Sequence, residues 1–283
     1  MIIEQFREGK KSLETCEDGI VVTPAHIAVV DGSTSKSNYR FSPLGTNGWH
    51  AMNVISQAIA SLPPEAGLEE TCQWLTAAIK QEYTKAGVPE SQLTAHPEQR
   101  LTASAAIYSR PHRCVWLIGD CQCLIVKEIS RNAPTFSYHD NPKPQEEACA
   151  EKRARHIEES LKKGMTIEDF QTRDTGRELV VPDIIASCLC QNKTFSVIDG
   201  FPVLLSAVKT VPCHDASQVI LATDGYPRLL PTLKESEEYL ARLLAKDPLC
   251  IRLHKATKGL MKGANSFDDR AYIRFFTTEA TNV

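Results

Sequence analysis

The sequence predicts an α+β fold in which two antiparallel sheets pack together with helices outside. Three observations predict it. Short segments rich in valine, isoleucine and leucine come in groups, at 20–30, 102–129, 194–223 and 271–276. Helical patterns come in pairs between those groups, which does not suit a strictly alternating parallel sheet. No stretch rich in proline, glycine or serine divides the 283 residues, so one domain over 1–283 is expected, carrying a charged helical and loop insertion around 132–180.

Segments 20–22 and 26–30 read as two strands with a turn at Thr23-Pro24. Segment 49–62, WHAMNVISQAIASL, repeats its apolar residues at helical spacing and stops at Pro63-Pro64. A second helix runs over 68–87, with Gly87 as its C-cap. TASAAIYS and CVWLIGDCQCLIVKEI are β-rich and join through Arg110-Pro111-His112 as a hairpin, with a bulge or tight bend at Gly119 inside the second run. The span 132–143 is loop-like, and 146–163 is a charged helix whose opposite charges lie at helical spacing, as on a solvated surface. A helix over 180–189, extended segments at 194–199 and 203–211, and a buried strand QVILAT at 218–223 follow. Segments 233–246 and 248–263 read as helices, and AYIRFF closes the chain as a strand.

The formal net charge is -3, with no strongly basic balance, so nucleic-acid binding is not expected. No apolar run is long enough for a membrane span. The N-terminal residues lack the apolar core of a secretory signal, which gives a cytoplasmic expectation. Ten cysteines occur singly or as the close pairs Cys121/Cys123 and Cys188/Cys190, without zinc-finger spacing, and read as small buried side chains in a reducing compartment.

One device repeats. Val29-Val30 runs into Asp31-Gly32, Leu117-Ile118 into Gly119-Asp120, and Ala222-Thr223 into Asp224-Gly225. Asp268-Asp269 stands just before the last strand, and Glu17-Asp18 just before Ile20. Each Asp-Gly alone is a common turn. Several such carboxylates converging at strand ends could not all ionise without cations. Oxygen donors suit hard divalent ions, Mg²⁺ or Mn²⁺, and no histidine or cysteine accompanies them at zinc-ligand spacing.

EDGIVVTPAHIAVVDGST resembles the opening of the PPM-type, metal-dependent protein phosphatases (the type-2C class). TASAAIYSRPHRCVWLIGDCQCLIV resembles that family's central hairpin, VILATDGY its second Asp-Gly strand, and SFDDRAYIRF its closing motif and final strand. The motifs stand in family order from about Cys16 to Phe276. The resemblance implies a four-layer α-β-β-α sandwich, two antiparallel sheets flanked by helix pairs. It implies a phosphoric monoester hydrolase acting on phosphoserine or phosphothreonine in a phosphorylated protein, through water activated by two Mn²⁺ or Mg²⁺ ions; the sequence does not fix the oligomeric state, and a monomer is the favoured expectation. Asp31 would bridge the ions and Gly32 would offer its carbonyl. Asp224 and Asp268 would hold the second ion, and Glu17 the first, directly or through water. Asp31, Asp224 and Asp268 are then the catalytic set, with Asp18 and Asp269 supporting them from behind. Ser33 stands where many members carry histidine or methionine, and Leu13 where many carry a phosphate-gripping arginine. Gln99 and Arg228 stand where a third ion would find carboxylates, so two ions are expected. With these substitutions, an inactive phosphatase-like binding or regulatory module, or a hydrolase of small phosphorylated metabolites, remains an alternative.

Overall fold

The computed structural model describes residues 1–128 and 133–277. Ile129 and Asn132, at the bounds of two sequence-predicted segments, fall outside the described residues. In chain order the elements are β1 (Ile2–Glu8), β2 (Asp18–Val22), β3 (His26–Gly32), α1 (Asn47–Ala60), α2 (Leu68–Lys85), α3 (Glu90–Ala95), β4 (Ala103–Ser109), β5 (Cys114–Ile118), β6 (Gln122–Lys127) and β7 (Thr135–His139). There follow α4 (Glu146–Lys162), α5 (Ile167–Thr172), α6 (Thr175–Ser187), β8 (Lys209–Pro212), β9 (Gln218–Ala222), α7 (Leu233–Lys246) and β10 (Arg270–Phe276).

The strands form two antiparallel five-stranded sheets, ordered β1-β10-β9-β6-β7 and β2-β3-β4-β5-β8. The side-chain period of two divides every central strand between two cores. Ile27, Val29, Ala106, Tyr108, Val115 and Leu117 meet Ile125, Val219, Leu221 and Ile273 between the sheets. Ala28, Val30, Ala105, Ile107 and Trp116 face the other way, onto α1 and α2 through Ile55, Ile59, Leu75 and Ile79. On the far side, Leu124, Ile220 and Tyr272 pack on Tyr226, Leu229 and the start of α7 at Leu233. Strands with both faces covered carry continuous apolar runs, which is why 27–30 and 219–222 do not alternate with polar residues. Thr46 caps α1 by accepting from Trp49 N at 3.1 Å, and Thr232 with Glu235 forms a capping box on α7.

Four expectations need correction. The run 114–129 is not one bent strand. β5 belongs to one sheet and β6 to the other, and the chain crosses between them at Gly119, whose φ is +82°. Part of the loop-like span 132–143 is β7, paired antiparallel to β6. The span 248–263 is not a helix: the Asp247 carboxylate accepts from the N–H groups of Ile251, Arg252 and Leu253 at 2.8–3.2 Å, which folds those residues into turns. The helix at 146–163 is not a plain solvated face, because Cys149, Ala150, Arg153, Ala154 and Ile157 are buried. The extended segments 194–199 and 203–211 contribute only the Ala103–Ile198 bridge and the start of β8 to the sheets. Their chain is held by Asn192, whose Oδ1 accepts from Val197 N at 3.1 Å and Leu204 N at 3.2 Å. Strand β1 and helices α3 and α5 lie in segments the sequence reading passes over. Cys121 and Cys123 share the inter-sheet core, as same-face thiols should, whereas Cys188–Cys190 is a 3₁₀ turn.

Candidate metal centre

The ends of β3 and β9 and the β5–β6 crossover meet at one edge of the sandwich. Strand pairing fixes the first: Asp31 lies opposite Asp18 on β2 and Ser104 on β4. Asp224 follows β9 by two residues, and Asp120 follows the left-handed Gly119. A side chain at Gly119 would strike Ser104 Oγ at 2.2 Å, so the crossover requires glycine on steric and dihedral grounds alike. Asp31, Asp120 and Asp224 each bring a carboxylate oxygen to within 4.8 Å of the others.

Burial pushes the Asp31 carboxyl well above the usual range, and Asp224, Asp18 and Asp120 add repulsion. Asp224 is raised in the same way, by burial and then by Asp268 and Asp120. Neither has an ion-pair partner among the described residues. Asp120 differs. Burial opposes its ionisation, but the Lys143 ammonium at 2.5 Å and the Ser104 hydroxyl at 2.5 Å hold it below the ordinary value. The trio is thus an all-oxygen donor set with two uncompensated carboxyls, which fits a hard divalent cation and not a soft one.

Glu17, Gly32, Asp268 and Asp269 line the same cavity as the trio. The Glu17 carboxylate accepts from the hydroxyls of Thr34 and Thr46, with Lys10 at 3.7 Å. Asp268 is paired with Lys258 and lies 3.6 Å from Lys10, which together hold its carboxyl low despite burial. Asp269 accepts from Lys10 N at 2.7 Å, Lys10 Nζ at 3.0 Å and Glu17 N at 3.2 Å, tying β1's end to β10's start. Asp18 accepts from Thr223 Oγ1 at 2.6 Å and braces β2 against the end of β9. Asp31 and Asp224 are therefore brought together with Asp120. Asp268 lines the same cavity, buried and held by ammonium groups.

Sequence reasoning left Asp120 without a role, although Gly119-Asp120 was among its repeated strand ends. It also missed the cations. Lys36, Lys143, Arg177 and Lys258 line the cavity, whose volume is about 120 Å³. Lys143 and Arg177 come from the charged segment 132–180. Among the described residues, no histidine lines this cavity. Arg228 is exposed, its guanidinium 5.8 Å from the Tyr239 ring centroid, and Gln99 hydrogen-bonds Gln92 instead of reaching the centre. The cradle leaves no room behind β3: a Cβ on Gly32 would meet Gly48 O at 2.0 Å and Glu17 O at 2.8 Å, both backbone atoms. Gly32→Ala is expected to destabilise the protein by about 1–3 kcal/mol in urea unfolding. A loss of a few tenths would mean that α1 can slide away without strain.

No protein-family model matches the chain, and no curated protein does. Solved structures are similar to it over nearly its whole length. The serine/threonine phosphatase Stp1 from Staphylococcus aureus is 12% identical, covers 99% of this chain and 96% of its own, and has a TM-score of 0.44. The catalytic domain of the serine/threonine protein phosphatase PstP in complex with two manganese ions is 13% identical, covers 96% and 97%, and has a TM-score of 0.43. The PPM Ser-Thr phosphatase MsPP from Mycobacterium smegmatis in complex with cacodylate is 13% identical, covers 96% of each chain, and has a TM-score of 0.43.

Proposed function

We propose that the protein is a metal-dependent phosphomonoester hydrolase acting on phosphoserine or phosphothreonine in proteins. The observation that carries this is the convergence of Asp31, Asp120 and Asp224 within 4.8 Å, with Asp31 and Asp224 lacking any ion pair within 4.0 Å among the described residues. Mn²⁺ or Mg²⁺, when bound, polarises phosphoryl oxygens and lowers the pKa of water, so that attack on phosphorus proceeds near neutral pH. The donors proposed for the ions are Asp31, Asp120 and Asp224, with the Gly32 carbonyl, Glu17 and Asp268 around them. Thr34 and Thr46 fix the Glu17 carboxylate, and Thr223 with Asp18 fixes the end of β9. These contacts hold the donors in place before substrate arrives, which is the protein's main contribution in phosphoryl transfer. The sequence motifs, standing in PPM order along the chain, support the choice of a phosphorylated protein as substrate.

The test is Mn²⁺-dependent hydrolysis of p-nitrophenyl phosphate and of a phosphothreonine peptide. Asp31→Ala, Asp120→Ala and Asp224→Ala are each expected to lower turnover at least about 100-fold. Unchanged turnover in all three would overturn the proposal. The ammonium groups on Asp268 favour a second reading, a phosphatase-like module that binds a cation and a phosphorylated partner with little turnover. Calorimetric Mn²⁺ binding that Asp31→Ala abolishes, in a protein that hydrolyses neither substrate, would select that reading.

No helix is long and apolar enough to cross a membrane among the described residues.

A further inference from the structure

We infer that Arg177 on α6 and Lys36 in the loop after β3 form the seat for the phosphoryl group, a cationic grip supplied from outside the N-terminal segment. The inference rests on the hydrolase reading above and adds the residues that would hold the substrate's anion.

Four cationic side chains line the cavity beside the carboxylate trio. Two are already matched: Lys143 by Asp120 at 2.5 Å and Lys258 by Asp268. Lys36 and Arg177 are not. Neither has a carboxylate within 4.0 Å among the described residues. Lys36 Nζ donates to its neighbour's carbonyl, Thr34 O. Arg177 Nη1 donates to Thr257 O at 2.9 Å, which uses one of five guanidinium N–H groups and orients the fork. Both are driven toward neutrality by burial, and for Lys36 the charges of Arg177, Lys258 and Lys143 add to it. Two half-buried cations lining one cavity repel each other, and an anion between them relieves that repulsion. Glu146 shares the wall, but burial raises its carboxyl, so it offsets these charges least.

The anion that fits is tetrahedral and doubly charged. An arginine fork donates to two phosphate oxygens at once, and a lysine adds a point charge. A phosphate approaching Asp31 and Asp224 also meets their repulsion, and the cations lining the same cavity counter it. The N-terminal segment offers no such group at the place where the sequence resemblance puts a gripping arginine: Leu13 is half exposed there and does not line the cavity.

The test is calorimetric titration of inorganic phosphate into the full chain, with and without saturating Mn²⁺. Arg177→Gln and Lys36→Met are each expected to weaken phosphate binding about tenfold or more, since each removes a charge-assisted hydrogen bond to the anion. KM for p-nitrophenyl phosphate should rise in parallel, while Mn²⁺ affinity stays within about twofold. Arg177→Lys should recover part of the loss, because it keeps the charge and not the fork. If Arg177→Gln unfolds through loss of the Thr257 contact, Lys36→Met decides alone. Phosphate affinity unchanged in Lys36→Met and in every folded Arg177 variant overturns the inference and leaves the hydrolase reading standing. Wild-type Mn²⁺ binding in Asp31→Asn would sink the hydrolase reading, and phosphate heat lost in Arg177→Gln would still support the seat.

Discussion

An Asp31→Asn variant is expected to lose Mn²⁺ binding and yet to melt no lower than the wild type when both are stripped of metal. The opposite signs come from one cause. Asp31 sits within 4.8 Å of Asp120 and Asp224 through their oxygens, it is half-buried, and no cation pairs with it among the described residues. Without metal, its charge is a liability of the folded state, and removing it relieves Asp224 as well. Each kcal/mol relieved raises the melting temperature by roughly 2–4 °C in a chain of this size class. With metal the sign reverses. At a free concentration of 100 Kd, a bound ion adds about 2.7 kcal/mol to the wild type, and the variant gains none of it. Turnover of p-nitrophenyl phosphate should fall at least about 100-fold. Paired melting curves with Mn²⁺ and with a chelator check both signs. If the stripped variant melts far below wild type, Asp31 is a structural turn residue and the metal reading fails.

The pH dependence of the stripped protein follows from the same burial. Asp18 is pushed up to about 8, chiefly by burial against the opposing help of Thr223. Its folded value lies above its unfolded one. The stability it contributes is therefore fully present below the usual carboxylate range and is lost as pH rises toward 8. Saturating Mn²⁺ should flatten that decline, because the cation offsets the neighbouring charges.

Which parts of the centre could be read from the sequence depends on how local their signals are. Asp31 and Asp224 were legible because Ile27–Val30 and Val219–Ala222 are buried on both faces, and an apolar run that ends in Asp-Gly is visible in a few residues. Asp120 was half legible. Its strand end was plain, but 114–129 reads as one β run bent at Gly119, and what divides it between two sheets is the positive φ of Gly119, set by tertiary crossover. β7 was passed over for another reason: Phe136 and Tyr138 do alternate with Thr135, Ser137 and His139, but the signal is two residues long and both rings stay exposed, so no buried face announces the strand. The cationic wall left no local trace. Lys36, Lys143, Arg177 and Lys258 are scattered over more than two hundred residues, and each looks like any surface base until the fold turns it inward. The charged pattern of α4 misled in the same way, since i,i+4 charge spacing records the solvent face and is silent about the buried one.

That buried face yields the largest stability effect expected anywhere in the molecule. Arg153→Ala should cost about 3–5 kcal/mol in urea unfolding. Arg153 is fully buried. Its Nε and Nη2 donate to Asp174 Oδ2 at 3.0 and 2.7 Å, and its Nη1 donates to Leu249 O at 2.8 Å and Ala256 O at 3.0 Å. Truncation would strand a buried carboxylate and two buried carbonyls at once, and each loses its donor without gaining water. Asp174 also caps α6, accepting from Arg177 N at 2.7 Å, so the pair sets where α6 begins. Arg177 is the third residue of that helix, so the phosphate seat inferred above depends on the same anchor. Arg153→Ala should therefore weaken phosphate binding even where enough folded protein remains to measure it, and leave Mn²⁺ affinity nearly unchanged, because Asp31, Asp120 and Asp224 are carried by the sheets. The double variant Arg153→Ala, Asp174→Ala should cost less than the sum of its parts, since the second change removes the stranded charge that the first creates. A single-variant loss below about 1 kcal/mol would show that water or a neighbouring lysine replaces the guanidinium, and that α6 is held by its apolar contacts alone.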